Sequence, residues 1–135
     1  MFELELKKRL MKNIFLVSGI TEYKENPSIF AYYIPDDAKK PYIYFFTSDY
    51  RIPLKKETKL LTIEYMNDEM ITEDIEHYGN EIINIFDNTI IKNEEFGDLR
   101  LFLFGKPVLT NKEFNGFKIS VDFIIRGPIK YWGII

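Results

Sequence analysis

An apolar stripe at helical spacing, in the second half of the chain, limits the possible folds more than any other feature. The stripe advances by steps of four and three residues, so its members lie on one face of a helix. They are Ile71, Ile75, Tyr78, Ile82, Ile85 and Phe86. The segments on either side are rich in β-branched and aromatic residues instead. Because a helix of this kind buries its stripe against a neighbouring sheet, the sequence predicts a mixed α+β fold.

A second helix and several strands are predicted around this stripe. Apolar residues recur every four positions near the start and predict one continuous helix, which ends at Ser18-Gly19 because glycine favours the left-handed cap. The predicted strands are Ile29–Ile34, Tyr42–Thr47, Lys59–Met66, Leu99–Phe104 and Phe117–Ile125. Gly105-Lys106-Pro107 interrupts the fourth strand, which Val108-Leu109 continues. The polar segment Ser48–Glu57 is predicted to be a long connection between two paired strands.

The predicted element order is therefore α-β-β-β-α-β-β. Strand pairs joined by hairpins give a mostly antiparallel sheet of about four to five strands, with both helices packed on one face. A chain of 135 residues is the length of one typical domain, so residues 1–135 are predicted to form a single α+β domain.

Composition excludes several classes of protein. Without cysteine there are no disulfides, thiolate metal sites or cysteine nucleophiles. A net charge of −3 argues against a protein that neutralises nucleic-acid phosphates. The unbroken apolar runs are far shorter than the roughly 20 residues of a transmembrane helix. The first residues also lack the apolar region of a signal peptide. These features predict a soluble protein of the cytoplasm, with no partner in nucleic acid or membrane.

No catalytic or metal-binding pattern is evident. The single histidine, His77, follows Glu73 and Asp74 on the predicted helix, but a di-metal site would need this pairing twice. None of the serines lies in a nucleophile-elbow sequence, and no glycine-rich phosphate loop is present. The sequence therefore predicts no catalytic, cofactor-binding or metal-binding residues and no enzymatic activity.

Three segments are predicted to form an interaction surface. The first is the predicted loop Tyr50–Lys56, which mixes aromatic, apolar and cationic residues as protein interfaces do. The second is the hairpin tip Asn111–Gly116, and the third is the apolar C-terminal segment. Folding of that segment back onto its own sheet is an equal alternative. The candidate interface residues are Tyr50, Arg51, Ile52, Leu54, Lys55, Lys56, Phe114, Tyr131 and Trp132.

The layout of elements resembles a known family of structural proteins. A first helix precedes a short strand and proline turn at Ile29–Pro35, and then the strand Pro41-Tyr42-Ile43-Tyr44. A further strand, a long amphipathic helix and a closing pair of strands complete the pattern, which covers about residues 1–126. In this order of elements the chain is similar to the small tail-terminator and tail-completion proteins of tailed bacteriophages and of phage-tail-like bacteriocins (tailocins).

The resemblance implies a structural role in a phage tail. Proteins of this family form a ring, typically a hexamer, that caps the tail tube, ends its polymerisation and offers a surface to the head connector or collar. The implied partners are other copies of the chain, the tube protein, the sheath protein in a tail that has one, and the connector or collar. The implied location is the host bacterial cytoplasm during virion assembly, and then the finished virion or tailocin. The family implies no catalytic residues and no cofactor.

Two other functions are also compatible with the sequence. A neck or head-completion connector of a phage particle would have the same size and composition. A monomeric acidic binding module, such as an immunity protein, belongs to a different class and would differ by staying at the 16.1 kDa mass of one chain.

Overall fold

Three helices and nine strands make up the part of the chain that the computed structural model describes. That part comprises residues 2–52, 55–68, 72–92, 97–112 and 116–127, with the backbone alone described for 49–52, 55–58, 72–74 and 111–112. The helices are α1 (Phe2–Met11), α2 (Ile14–Ser18) and α3 (Thr72–Phe86). The strands are β1 (Glu22–Tyr23), β2 (Asn26–Pro27), β3 (Ile29–Ala31), β4 (Tyr42–Ile52), β5 (Lys55–Asn67), β6 (Thr89–Ile91), β7 (Leu99–Leu103), β8 (Val108–Lys112) and β9 (Gly116–Arg126).

The predicted continuous first helix is wrong, because the chain breaks at Asn13. This residue has an extended backbone, and its side-chain Oδ1 accepts a hydrogen bond at 2.9 Å from the backbone N–H of Leu16. It therefore caps a separate helix, α2, as asparagine commonly does. The Asn13 Nδ2 atom also donates to Glu81 of α3 at 2.9 Å. The predicted end of the helical region is confirmed, since Gly19 caps α2, but the predicted left-handed cap is wrong because Gly19 has a φ of −97°.

Replacing Asn13 by alanine is expected to lower the free energy of unfolding by about 1 kcal/mol, the usual cost of losing an N-cap. The loss of the bond to Glu81 adds to this effect. Urea denaturation followed by circular dichroism measures it. Asn84→Ala is the matched control, because Asn84 is exposed on α3 and should change stability little. Equal stabilities of the two variants would show that the cap contributes nothing.

The main sheet has the strand order β3-β4-β5-β9-β7-β6, and β8 also pairs with β9. The predicted α+β class and the mostly antiparallel pairing are confirmed, but the number and order of the strands differ from the prediction. β3 is parallel to β4, whereas every other pair in this sheet is antiparallel. The short strands β1, β2 and β6 were not predicted, because two or three residues carry no periodic signal.

The first predicted strand is shorter than expected. Tyr32 adopts a left-handed backbone with φ of 63°, so β3 ends at Ala31 and does not continue to Ile34. By contrast, the interruption at Gly105-Lys106-Pro107 is confirmed. β7 pairs with the C-terminal half of β9 and β8 pairs with its N-terminal half. The two short strands on either side of the break therefore pair with the same strand.

The predicted long connection Ser48–Glu57 is wrong. β4 continues to Ile52 and β5 begins at Lys55, with the register pairs Tyr50↔Thr58 and Ile52↔Lys55. The segment lacks the apolar alternation of a half-buried strand, and for that reason its sequence resembles a loop. A two-stranded ribbon that extends beyond the main sheet needs no such alternation.

All three helices pack on one face of the sheet and form one core with it. The helices contribute Phe2, Leu6, Leu10, Leu16, Ile75, Ile82 and Phe86. Alternate residues of the central strands face them, among them Ile63 of β5 and Val121 and Phe123 of β9, which are fully buried. The predicted apolar stripe of α3 is confirmed at Ile75, Ile82 and Phe86. None of the helices in the described ranges combines the length and hydropathy that a membrane span requires.

Candidate assembly surface

The opposite face of the sheet carries no helix within the described ranges. We call it the open face; it is formed by the residues that alternate with the core positions on β4, β5, β7 and β9. Its members include Tyr42, Tyr44, Phe46, Leu60, Thr62, Glu64, Met66, Arg100, Phe102, Lys118, Ser120, Asp122, Ile124 and Arg126. The face combines aromatic rings with charged and hydroxyl groups, which is the composition of many protein interfaces.

Glu64 lies at the centre of the open face and is only 6% exposed. Its Oε2 atom accepts a hydrogen bond from Ser120 Oγ at 2.7 Å and forms an ion pair with Lys118 Nζ at 2.9 Å. At the next pair of residues on the same face, Thr62 Oγ1 donates a hydrogen bond to Asp122 at 2.7 Å. Register therefore places a ladder of paired polar groups across β5 and β9. A buried carboxylate with two partners is compensated, since its charge and its lone pairs are both satisfied.

Two tyrosines of β4 flank this carboxylate. Burial raises the pKa of Tyr42 above its ordinary value, and the charges of Asp68 and Glu64 raise it further. Burial also raises the pKa of Tyr44, again with a contribution from Glu64. The physical cause is common to both, because a phenolate would be poorly solvated and would lie beside a negative charge. The two phenols therefore favour their neutral form more strongly in the folded chain than in the unfolded one.

This shift predicts a loss of stability in alkali. A raised folded-state pKa contributes stability that is fully present below the unfolded pKa of about 10 and is lost as pH rises through the folded value. We expect the free energy of unfolding to fall between neutral pH and pH above 10, and to fall less in Tyr42→Phe. Urea titrations at the two pH values measure this. Tyr33→Phe, at a 67% exposed position, is the control. An equal alkaline loss in parent and Tyr42→Phe would contradict the prediction.

Two arginines meet at one end of the open face. Arg100 of β7 and Arg126 of β9 are directly opposite each other in register, and both are exposed. The Arg126 guanidinium lies 5.6 Å from the centre of the Phe102 ring. Together with Ile90, Asp98 and Gly127, these residues line an open depression of about 500 Å³. Like charges directly opposite one another on neighbouring strands are destabilising without a counter-charge, and Asp98 is the acidic residue that lines the same depression.

A hairpin arm projects beyond the body of the sheet. β9 pairs with β5 from Lys59 onward, so residues 49–52 and 55–58 pair with each other and not with β9. We call these residues the arm. An isolated two-stranded ribbon is at best marginally stable in water. The arm therefore gains stability from any surface that it contacts.

The strand β8 presents a free edge on the other side of the sheet. β8 pairs with β9, and no other described strand lies along it. Two of its apolar residues are exposed, Val108 by 56% and Leu109 by 36%. The edge strand β6 is different, because Arg9 of α1 donates a hydrogen bond of 2.8 Å to the carbonyl of Ile90. An exposed apolar edge such as β8 is a template for pairing with another strand.

The structure places the predicted interface residues in different positions. Tyr50, Arg51 and Ile52 belong to β4, and Lys55 and Lys56 belong to β5, so these five lie together on the arm. Leu54, Phe114, Tyr131 and Trp132 lie outside the described residues.

His77 lies at the surface of α3. The edge of its imidazole ring packs against Phe15 of α2, with 4.9 Å between the ring centres. In the described ranges no group of three or more His, Asp and Glu side chains is arranged to hold a metal ion. Its environment is that of a packing residue on the helical side, away from the open face.

Comparison with known proteins returned no match: no family model, no curated protein and no solved structure is detectably similar to this chain. Its own geometry is therefore the basis for an assignment.

Sequence reasoning missed the open face and the β8 edge. The alternation of residues did separate Thr62 and Glu64 from the core positions of β5, and Lys118, Ser120 and Asp122 from those of β9. It did not show that β5 and β9, which are far apart in sequence, are neighbours, so the polar ladder could not be predicted. The exposed positions Val108 and Leu109 carried no signal, because an apolar residue on an exposed edge has the same appearance in sequence as one in a core.

Proposed function

We propose that this chain is a structural subunit of a phage tail or tailocin, a terminator-type protein that forms a ring on the end of the tail tube. In this role it ends tube polymerisation and offers a surface to the head connector or collar. It acts by assembly and needs neither a catalytic group nor a cofactor. Its place of action is the host bacterial cytoplasm during assembly, and then the finished particle.

One observation carries the proposal. Within the described chain, helices cover one face of the sheet and no helix covers the other, and the β8 edge and the arm have no further strand beside them. The open face carries Tyr44 and Phe46, whose ring centres are 5.3 Å apart, and it also carries the charged residues Lys118 and Arg126. Such surfaces gain most stability in a closed ring, because each subunit then covers its neighbour and no strand edge stays unpaired.

The mass of the purified chain in solution is the first test. Size exclusion with light scattering should give a closed oligomer, and negative-stain electron microscopy should show rings, whereas one chain has a mass of 16.1 kDa. A chain that stays at monomer mass at every concentration would overturn the ring. It would favour the monomeric acidic binding module instead.

The second test is tube length. Added to a polymerising tube protein encoded beside this gene, the chain should shorten the tubes as its concentration rises. Reversing the charge of the arm with Arg51→Glu, Lys55→Glu and Lys56→Glu should abolish this effect. The charge-matched control, Lys8→Glu with Lys12→Glu and Lys92→Glu, changes three exposed lysines elsewhere and should keep it. Rings that leave tube length unchanged would favour a neck or head-completion connector.

A further inference from the structure

The arm and the β8 edge lie at opposite corners of the sheet. Along β9, the pairing with β8 covers Gly116–Ser120, while the arm begins beyond the pair Lys59↔Ile125. Ile119 and Ile125 are six residue steps apart along the strand, which corresponds to about 20 Å. The two features also lie on different sides of β9, since β5 and β8 are its two neighbours. The arm of one chain therefore cannot reach the β8 edge of the same chain.

Each of the two features lacks what the other provides. The β8 edge has a row of backbone N–H and C=O groups, with exposed Val108 and Leu109 beside it, and no strand to pair with among the described residues. The arm has two strands and no third, so its outer edges also lack partners in the described chain. Backbone pairing between strands of different chains is a common mode of recognition, in which an edge accepts an additional strand.

Charge favours contact between an arm and the body of another copy. The arm holds the cations Arg51, Lys55 and Lys56 and the acids Asp49 and Glu57, so its net charge is +1. The whole chain carries −3, and the remaining residues therefore carry −4. Two arms repel each other and two bodies repel each other, whereas an arm attracts a body. This pattern disfavours a symmetric arm-to-arm dimer and favours a head-to-tail contact.

We propose that the arm of one copy pairs with the β8 edge of the next copy, so that the sheets of neighbouring subunits join head to tail. A contact between two different surfaces repeats from subunit to subunit and closes into a ring when the rotation allows it. The contact rests on the proposed ring and specifies which surfaces form it.

Blocking the edge tests the contact. Val108→Lys with Leu109→Lys places charges on the β8 edge, as natural edge strands do to prevent pairing. Both positions are exposed, so the variant should keep the parent's melting temperature while its mass falls to that of one chain. The matched control is Met11→Lys with Ile14→Lys, which changes two exposed apolar residues on the helical side and should leave the oligomer intact.

Cross-linking identifies the two surfaces even if the edge variant folds poorly. The parent has no cysteine, so each single substitution introduces the only thiol. A mixture of the Ile52→Cys and Leu109→Cys chains, treated with a bismaleimide, should give covalent dimers, and neither chain alone should. Cross-linking of either chain with itself would indicate a twofold contact and overturn the proposal, as would a mixture that gives no dimer.

The results separate this contact from the ring itself. If the edge variant still forms rings, or the control loses them, the ring stands and the arm-to-edge contact is wrong. If the parent never exceeds monomer mass, the ring and the contact both fall.

Discussion

Replacing Ile82 by aspartate is expected to unfold the domain at physiological temperature. Ile82 is fully buried between α3 and the sheet. A carboxylate there would have no partner, and burying an unpaired charge costs more than about 4 kcal/mol. Single domains have a total stability of about 5–15 kcal/mol, so this one change removes much of it. Circular dichroism during thermal and urea denaturation measures the loss.

Asn84→Asp is the control for this variant. It introduces the same carboxylate on the same helix, two positions further along, at a site that is exposed. We expect it to melt within a few degrees of the parent. If Ile82→Asp melted equally close to the parent, the packing of α3 on the sheet would be wrong.

Replacing Lys118 by methionine should cost about 3 kcal/mol, because removal of one partner of a buried ion pair leaves the other charge uncompensated. The charge left behind is that of Glu64, whose side chain is 8% exposed and 2.9 Å from the lysine. Ser120 still donates to the same oxygen and limits the loss. Urea denaturation at neutral pH measures the difference from the parent.

The double variant Glu64→Gln with Lys118→Met separates loss of charge compensation from loss of packing. An amide at position 64 has no charge to compensate and still accepts from Ser120, so we expect the double variant to recover most of the stability. A double variant as unstable as Lys118→Met alone would show that the uncompensated charge of Glu64 is not the cause of the loss.

The elements that the sequence predicted well are those with one buried face. The predicted helix over the stripe corresponds to α3. The predicted strand Phe117–Ile125 corresponds to β9, which is one residue longer at each end. A helix with one buried face has an apolar residue at every third or fourth position, and a strand with one buried face has one at every second position. Both elements therefore leave a periodic pattern in the sequence.

The elements that it missed are those whose structure depends on distant contacts or on a single residue. The break between α1 and α2 depends on Asn13, which caps α2. Asparagine favours cap positions, but the regular apolar spacing on both sides of it indicated a continuous helix. The parallel pairing of β3 with β4 and the insertion of β9 beside β5 depend on tertiary packing. The arm has a polar sequence without apolar alternation, and this sequence resembles a connection.

The central position of β9 has a consequence for how the chain folds. β9 follows all the other strands in the sequence, yet it joins β5 on one side to β7 and β8 on the other. The core positions of β5, including Leu61 and Ile63, have no neighbour on that side until residues 119–125 have been synthesised. Folding during translation therefore waits for this segment, and the nascent chain holds an incomplete apolar sheet in the meantime. Native contacts of such long sequence separation slow folding and expose the intermediate to aggregation, so recovery from expression should depend on temperature and on chaperone supply.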